Sequence, residues 1–168
     1  EPSLAWKLAV RLLGAPPTSD QATRAAETVR RAPLVTRLLS ERLSDGRLPH
    51  HPYKKWNGGH WLLSLLADLG IPPGERELQP LMEEVYAWLL GPQHARSIRR
   101  IDGRTRRCAS KEGNAAWYSL RLGLADDRTA ALVDRLLEWQ WPDGGWNCDK
   151  RPEADTSSFM ETLLPLRA

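Results

Sequence analysis

Asp143-Gly144-Gly145-Trp146, followed by the apolar run Phe159–Leu166, is the clearest of three stretches built alike. Asp102-Gly103 leads in the same way to Trp117–Leu124, and Asp45-Gly46 leads to Trp61–Gly70. Each follows an amphipathic segment of helical period, so the repeating element reads as helix, polar glycine-containing loop, second helix. Repetition on this scale dictates stacked helical hairpins, with irregular insertions absorbed by the loops.

Working outward from these landmarks, the chain reads as all-α. Leu4–Leu13 predicts a first helix that Gly14 and Pro16-Pro17 end. Ser19 or Asp20 caps a second, which Pro33 interrupts before the Leu34, Val35, Leu38, Leu39 stripe. Pro80 suits the opening of a helix whose apolar face is Leu81, Met82, Val85, Trp88 and Leu89. A short helix is expected over Asn114–Leu124. Asp126 caps Thr129–Gln140, and Asp155 or Thr156 caps the last helix. No alternating strand pattern is found. The striped helices alternate with shorter ones that are apolar on nearly every side. This predicts an outer layer facing water and an inner layer of Trp61–Leu69, Ala116–Leu122 and Ser158–Leu164.

With 168 residues, one domain over 1–168 with a real core is expected. The chain opens without methionine and stops inside an apolar helix. It therefore reads as an N-terminal portion of a longer protein, its last helix to be covered by further repeats or by a second copy in a homo-oligomer. A net charge of +3 is too small to support a nucleic-acid partner. No run approaches the ~20 apolar residues of a membrane span. With no signal-peptide pattern and only Cys108 and Cys148, far apart in sequence, a cytoplasmic setting is expected.

Leu136-Leu137-Glu138-Trp139-Gln140-Trp141-Pro142-Asp143-Gly144-Gly145-Trp146 resembles the QW motif of squalene and oxidosqualene cyclases, with Gln140, Gly144 and Trp146 in Gln-x-x-x-Gly-x-Trp order. The same loop followed by Asp155-Thr156-Ser157-Ser158-Phe159 looks like the β subunits of protein prenyltransferases. The resemblance implies an α/α toroid, here partial, with hairpins ringed about an apolar cavity. Standalone bacterial squalene-cyclase-like proteins look closest. In physical terms Gln140 can bond orphan carbonyls at its helix end or amides opening the next helix. Gly144 and Gly145 allow a turn closed to other residues, and Trp146 covers the junction as a staple.

The catalytic signatures of those families are missing. There is no Asp-x-Asp-Asp acid motif, and Ala130 stands where the magnesium motif opened by Asp126-Asp127 would place its last carboxylate. Asp155-Thr156-Ser157 has serine where the resemblance implies a zinc thiolate, and serine is a poor zinc ligand. No metal and no cofactor are therefore expected, although Cys108, Cys148, His50, His51 and His60 are the residues from which a metal site would be built.

Two sets of side chains remain as candidates. Trp56, His60, Trp61, Trp117, Tyr118, Asp155 and Phe159 lie at or near the starts of the expected inner helices and are expected to line a ligand cavity, with core packing as the plainer role. Lys54, Lys55, Arg104, Arg106 and Arg107 are expected to form an anion-attracting rim, with ordinary solvated arginines as the plainer reading. Arg96, Arg99 and Arg100 extend that cluster. The functional expectation is a terpenoid-cyclase- or prenyltransferase-like protein that binds an isoprenoid or other lipid-like molecule. The alternative is a non-enzymatic protein-interaction module. The sequence leaves open whether it is an enzyme.

Overall fold

The computed structural model describes residues 2–168. The chain is mostly helical, as expected. It divides into two compact units, Glu1–Glu84 with Arg121–Leu124, and Val85–Leu120 with Ala125–Ala168.

In the first unit, α1 (Pro2–Lys7) runs on as a π-helical turn to Leu12 and packs against α2 (Asp20–Arg30). Ser19 caps α2 by accepting from the Ala22 amide at 3.3 Å, and Ala22, Ala26 and Val29 form its buried stripe. Pro33 opens α3 (Pro33–Leu39), where its missing N–H costs nothing. The helix α4 (Gly59–Leu69) buries His60, Leu62, Leu63, Leu66 and Ala67 and ends in left-handed Gly70 at φ 88°. A side chain at Gly70 would meet the Trp6 ring at 2.8 Å. On that ring the Arg121 guanidinium stacks at 4.5 Å. Proline enters α5 (Gln79–Leu89) at its second residue, and Leu81 and Met82, in the part of the helix that belongs to this unit, are buried.

In the second unit, α6 (Pro92–Arg96) precedes a two-stranded hairpin, β1 (Arg99–Ile101) and β2 (Arg104–Arg106). No strand was expected here. Asp102 and Gly103 both take positive φ, 48° and 73°, the geometry that lets a two-residue loop close antiparallel strands. Helix α7 (Ser110–Arg121) starts four residues before the expected Asn114. Asp126 and Thr129 form the expected capping box at α8 (Asp127–Trp139). Ala109, Leu136, Trp139 and Trp146 form a core cluster against which Ile98 packs. The last helix, α9 (Phe159–Arg167), is capped by Ser158 rather than by Asp155 or Thr156, and without a side-chain bond.

The expected inner layer needs correction at α9. Leu63 and Leu66 in α4 and Ala115 and Ala116 in α7 are fully buried. By contrast Phe159 is 82% exposed and Met160 76%, and Leu163 and Leu166 are also open to solvent. One face of α9 is held close to α7 by Gly113, where a side chain would meet Pro165 and Leu164 backbone atoms at 2.5–2.8 Å. Among the described residues nothing covers the other face.

Candidate functional site

The loop 51–58 folds back onto the start of α4. Pro52 accepts from the His60 amide at 3.0 Å, and Lys54 accepts from the Gly58 amide at 2.7 Å. Only glycine fits at 58, because a Cβ would sit 2.3 Å from the Pro52 carbonyl oxygen. This tight return gathers four aromatic rings. Trp56 meets Trp61 edge-on at 4.6 Å, and Tyr53 and His60 lie 5.3 and 5.1 Å from Trp61. The Trp61 indole N–H reaches the Tyr53 carbonyl at 3.4 Å.

Trp56, 69% exposed, forms one wall of a half-open cleft of about 300 Å³ between α3 and α4. Leu34, Leu38, Leu48, Trp61, Leu62 and Leu65 supply its apolar lining, and Arg37, Glu41 and Asn57 its polar groups. The volume is at the lower end of the roughly 300–1,000 Å³ of small-molecule sites. Lys55 stands beside the wall with its ammonium 5.5 Å from the Trp56 ring, and Lys54 is exposed. Among the sequence candidates, Trp56 and Trp61 line this cleft, while His60 is buried behind them.

The other candidates belong to the second unit and do not form one surface. Tyr118 is completely buried, and that burial pushes its hydroxyl well above its ordinary pKa. Trp117 is half-buried beneath the Arg167 guanidinium at 3.4 Å. Asp155 and Phe159 are exposed.

Two of the expected rim arginines are structural instead. Arg106 is 1% exposed and donates to the carbonyls of Ala154 at 2.6 Å, Asp149 at 3.3 Å and Pro152 at 3.4 Å. It also stacks on Trp141, whose indole donates to the Thr105 carbonyl at 2.9 Å. A guanidinium so buried and turned toward backbone carbonyls is out of reach of an external anion. Arg107 Nη2 lies against the His94 ring, 2.9 Å from Nδ1 and 3.1 Å from Nε2. His94 Nε2 also pairs with Glu112 Oε1 at 2.6 Å, with Arg135 3.9 Å from the same carboxylate oxygen. His94 and Glu112 are both buried, and sequence reading singled out neither. Arg104 is partly exposed and lies 5.6 Å from the Trp141 ring.

The motif loop is a docking platform for α9. The Trp146 indole is buried and donates to the Leu136 carbonyl at 2.8 Å. Its amide donates to Thr162 Oγ1 at 3.1 Å, and its carbonyl accepts from Ser158 at 2.7 Å. Gly144 is left-handed at φ 89°. At Gly145 a side chain would strike Ser157 and Thr162 hydroxyls at 2.5 Å. Gln140 departs from expectation: its amide bonds Gly144 O at 2.8 Å within its own loop and not a helix end. The Asp143 carboxylate accepts from the Ser157 amide at 2.6 Å, and this bond lowers its pKa below the usual carboxylate value.

The same loop corrects the picture of two remote cysteines. A backbone bridge between Arg106 and Asn147 brings the segment before Cys108 beside the segment before Cys148. Cys108, Cys148 and Glu161 then offer donor atoms all within 4.8 Å of one another. The Cys148 thiol donates to Glu161 Oε1 at 3.5 Å. Burial, then the Cys108 thiol and the Glu161 charge, push Cys148 up to about 12. His50, His51 and His60 take no part in this cluster.

No family model matches the chain, and no curated protein or solved structure matches it significantly.

Proposed function

We propose that this chain is a helical-hairpin repeat protein of the terpenoid cyclase and protein prenyltransferase type, a partial α/α toroid, that binds a short apolar molecule of isoprenoid or lipid-like character. The observation that carries the reading is Trp56, a large aromatic side chain left 69% exposed as one wall of a cleft whose apolar lining is mostly leucine. An indole kept in water at such a place gains apolar contact when a ligand enters. Arg37 in the cleft and Lys54 and Lys55 next to its wall suit an anionic head group. The Gln140, Gly144 and Trp146 spacing supports the family likeness. No catalytic step is assigned.

The test is a tryptophan-fluorescence titration of the full chain with a short isoprenyl diphosphate, the matching alcohol, and a fatty acid of similar length. Saturable binding is expected, with the diphosphate preferred over the alcohol. Losing contact with one large side chain costs roughly 1.5–3 kcal/mol, so Trp56→Ala is expected to weaken binding about tenfold or more. Absence of saturable binding for all three ligands would overturn the proposal.

A second reading, a non-enzymatic protein-interaction module, is favoured by a different observation. Phe159, Met160, Leu163 and Leu166 form a contiguous exposed apolar face on α9, of the kind that marks contact surfaces. Retention of a protein partner that Phe159→Asp abolishes, with no small-molecule binding, would select it.

A further inference from the structure

We propose that Cys108, Cys148 and Glu161 form a three-ligand site for a divalent thiophilic metal ion of the zinc class, with a fourth position open to water or an external ligand. The site is independent of the apolar cleft and of the family likeness.

Three separate elements deliver the donors. Cys108 stands just before the first turn of α7. Cys148 follows Asn147, which the backbone bridge ties to Arg106. Glu161 lies in the first turn of α9, one turn before Pro165, so both residues share the face that Gly113 admits against α7. The close approach at Gly113 therefore sets how far the carboxylate reaches.

Distances fit a tetrahedral ion. Bonds of about 2.3 Å to sulfur and 2.0–2.2 Å to oxygen place neighbouring ligand atoms roughly 3.5–3.8 Å apart. The Cys148 sulfur and Glu161 Oε1 are already 3.5 Å apart, and the full triad falls within 4.8 Å, so small thiol rotations complete the geometry. The carboxylate is also oriented in the manner of a metal ligand. Its Oε2 accepts the Ser110 amide at 3.0 Å, which leaves Oε1 turned toward the sulfurs. That second bond has no role in a disulfide between the cysteines, which is why the geometry favours a metal over a redox pair. Two thiolates select zinc-like ions over magnesium or calcium. Three protein ligands, all partly exposed, leave the fourth position and an entry path. On binding, the ion replaces the thiol protons, which leave to solvent.

The test is a titration of the reduced, chelator-stripped full chain with cobalt(II), followed by zinc(II) competition. One cobalt per chain is expected, with sulfur-to-cobalt charge-transfer absorption that zinc abolishes and with protons released on binding. Cys148→Ser is expected to lose that absorption. Glu161→Gln is expected to keep it while affinity falls, because a carboxylate ligand is lost and both thiolates remain. Circular dichroism establishes that each variant is folded. A folded, reduced chain without the thiolate band overturns the proposal, as does unchanged affinity in both variants. A chain that takes no cobalt but loses two titratable thiols on mild oxidation also overturns it and marks the cysteines as a redox pair.

Discussion

The Trp146 indole donates its N–H to the Leu136 carbonyl at 2.8 Å, tying the loop after α8 back onto the helix it has just left. One bond thus satisfies a helix-end carbonyl and a buried indole together. Trp146→Ala removes the ring and leaves that carbonyl without its indole donor. A loss of about 3–5 kcal/mol is expected in denaturant unfolding. Trp146→Phe, which keeps most of the volume, is expected to lose less. A variant Trp146→Ala that unfolds like the parent would falsify the staple.

Gly113 is a point of close approach between α7 and α9. Gly113→Ala improves helix propensity, yet its methyl collides with Pro165 backbone. Overpacking of about 1–3 kcal/mol is expected to win. Unfolding midpoints of parent and variant decide it, and a stabilised variant would show that α9 yields freely.

His94 and Glu112 are paired in the interior. Among the described residues Glu112 Oε2 has no hydrogen-bond partner, so the carboxylate depends on the contacts of its other oxygen. His94→Ala strands a buried carboxylate and is expected to cost roughly 3–5 kcal/mol, whereas the double change His94→Leu with Glu112→Leu should recover much of that. Equal losses in the single and double variants would argue against a coupled His94–Glu112 pair.

Asp143 supplies a pH dependence. Its folded pKa is lowered, chiefly by the Ser157 amide, so its stabilisation is fully present above the unfolded value near 4. It is lost as pH falls through the folded value. The stability gap between parent and Asp143→Asn is therefore expected to be constant at neutral pH and to shrink under acid. Unfolding curves collected from neutral to strongly acidic pH would show it, and a gap that widens with acid would contradict the sign.

Much of the helical order was legible. The helix starts at Ser19, Pro33 and Asp126 follow from capping chemistry that acts within a few residues. The β1–β2 hairpin was missed although Asp102-Gly103 announces such a turn, because three-residue strands rich in arginine carry no alternation. The apolar composition of α9 suggested enclosure, but composition cannot say whether a second surface arrives to cover it. The cleft was half legible, since Trp56 and Trp61 share one loop and helix. Cys108, Cys148 and Glu161 converge through contacts between segments remote in sequence, among them a backbone bridge, a glycine contact and the Ser110–Glu161 bond, which no local pattern encodes. The Arg106 and Arg107 reading failed for a related reason: exposure was assumed from charge, whereas loop carbonyls engage Arg106 and a histidine lies against Arg107.

Arg106 has one consequence beyond its own burial. The stretch from Asn147 to Ser157 has no regular secondary structure, and three of its carbonyls converge on this one side chain. The guanidinium thus does for that loop what a neighbouring strand does for a sheet. Lysine would bring the same charge, but its three donors radiate from one atom and do not reproduce the planar fork that reaches these carbonyls from two nitrogens. Substitution at this position is therefore a question of shape, and drift from arginine to lysine would loosen the segment that carries Cys148 while leaving the net charge unchanged.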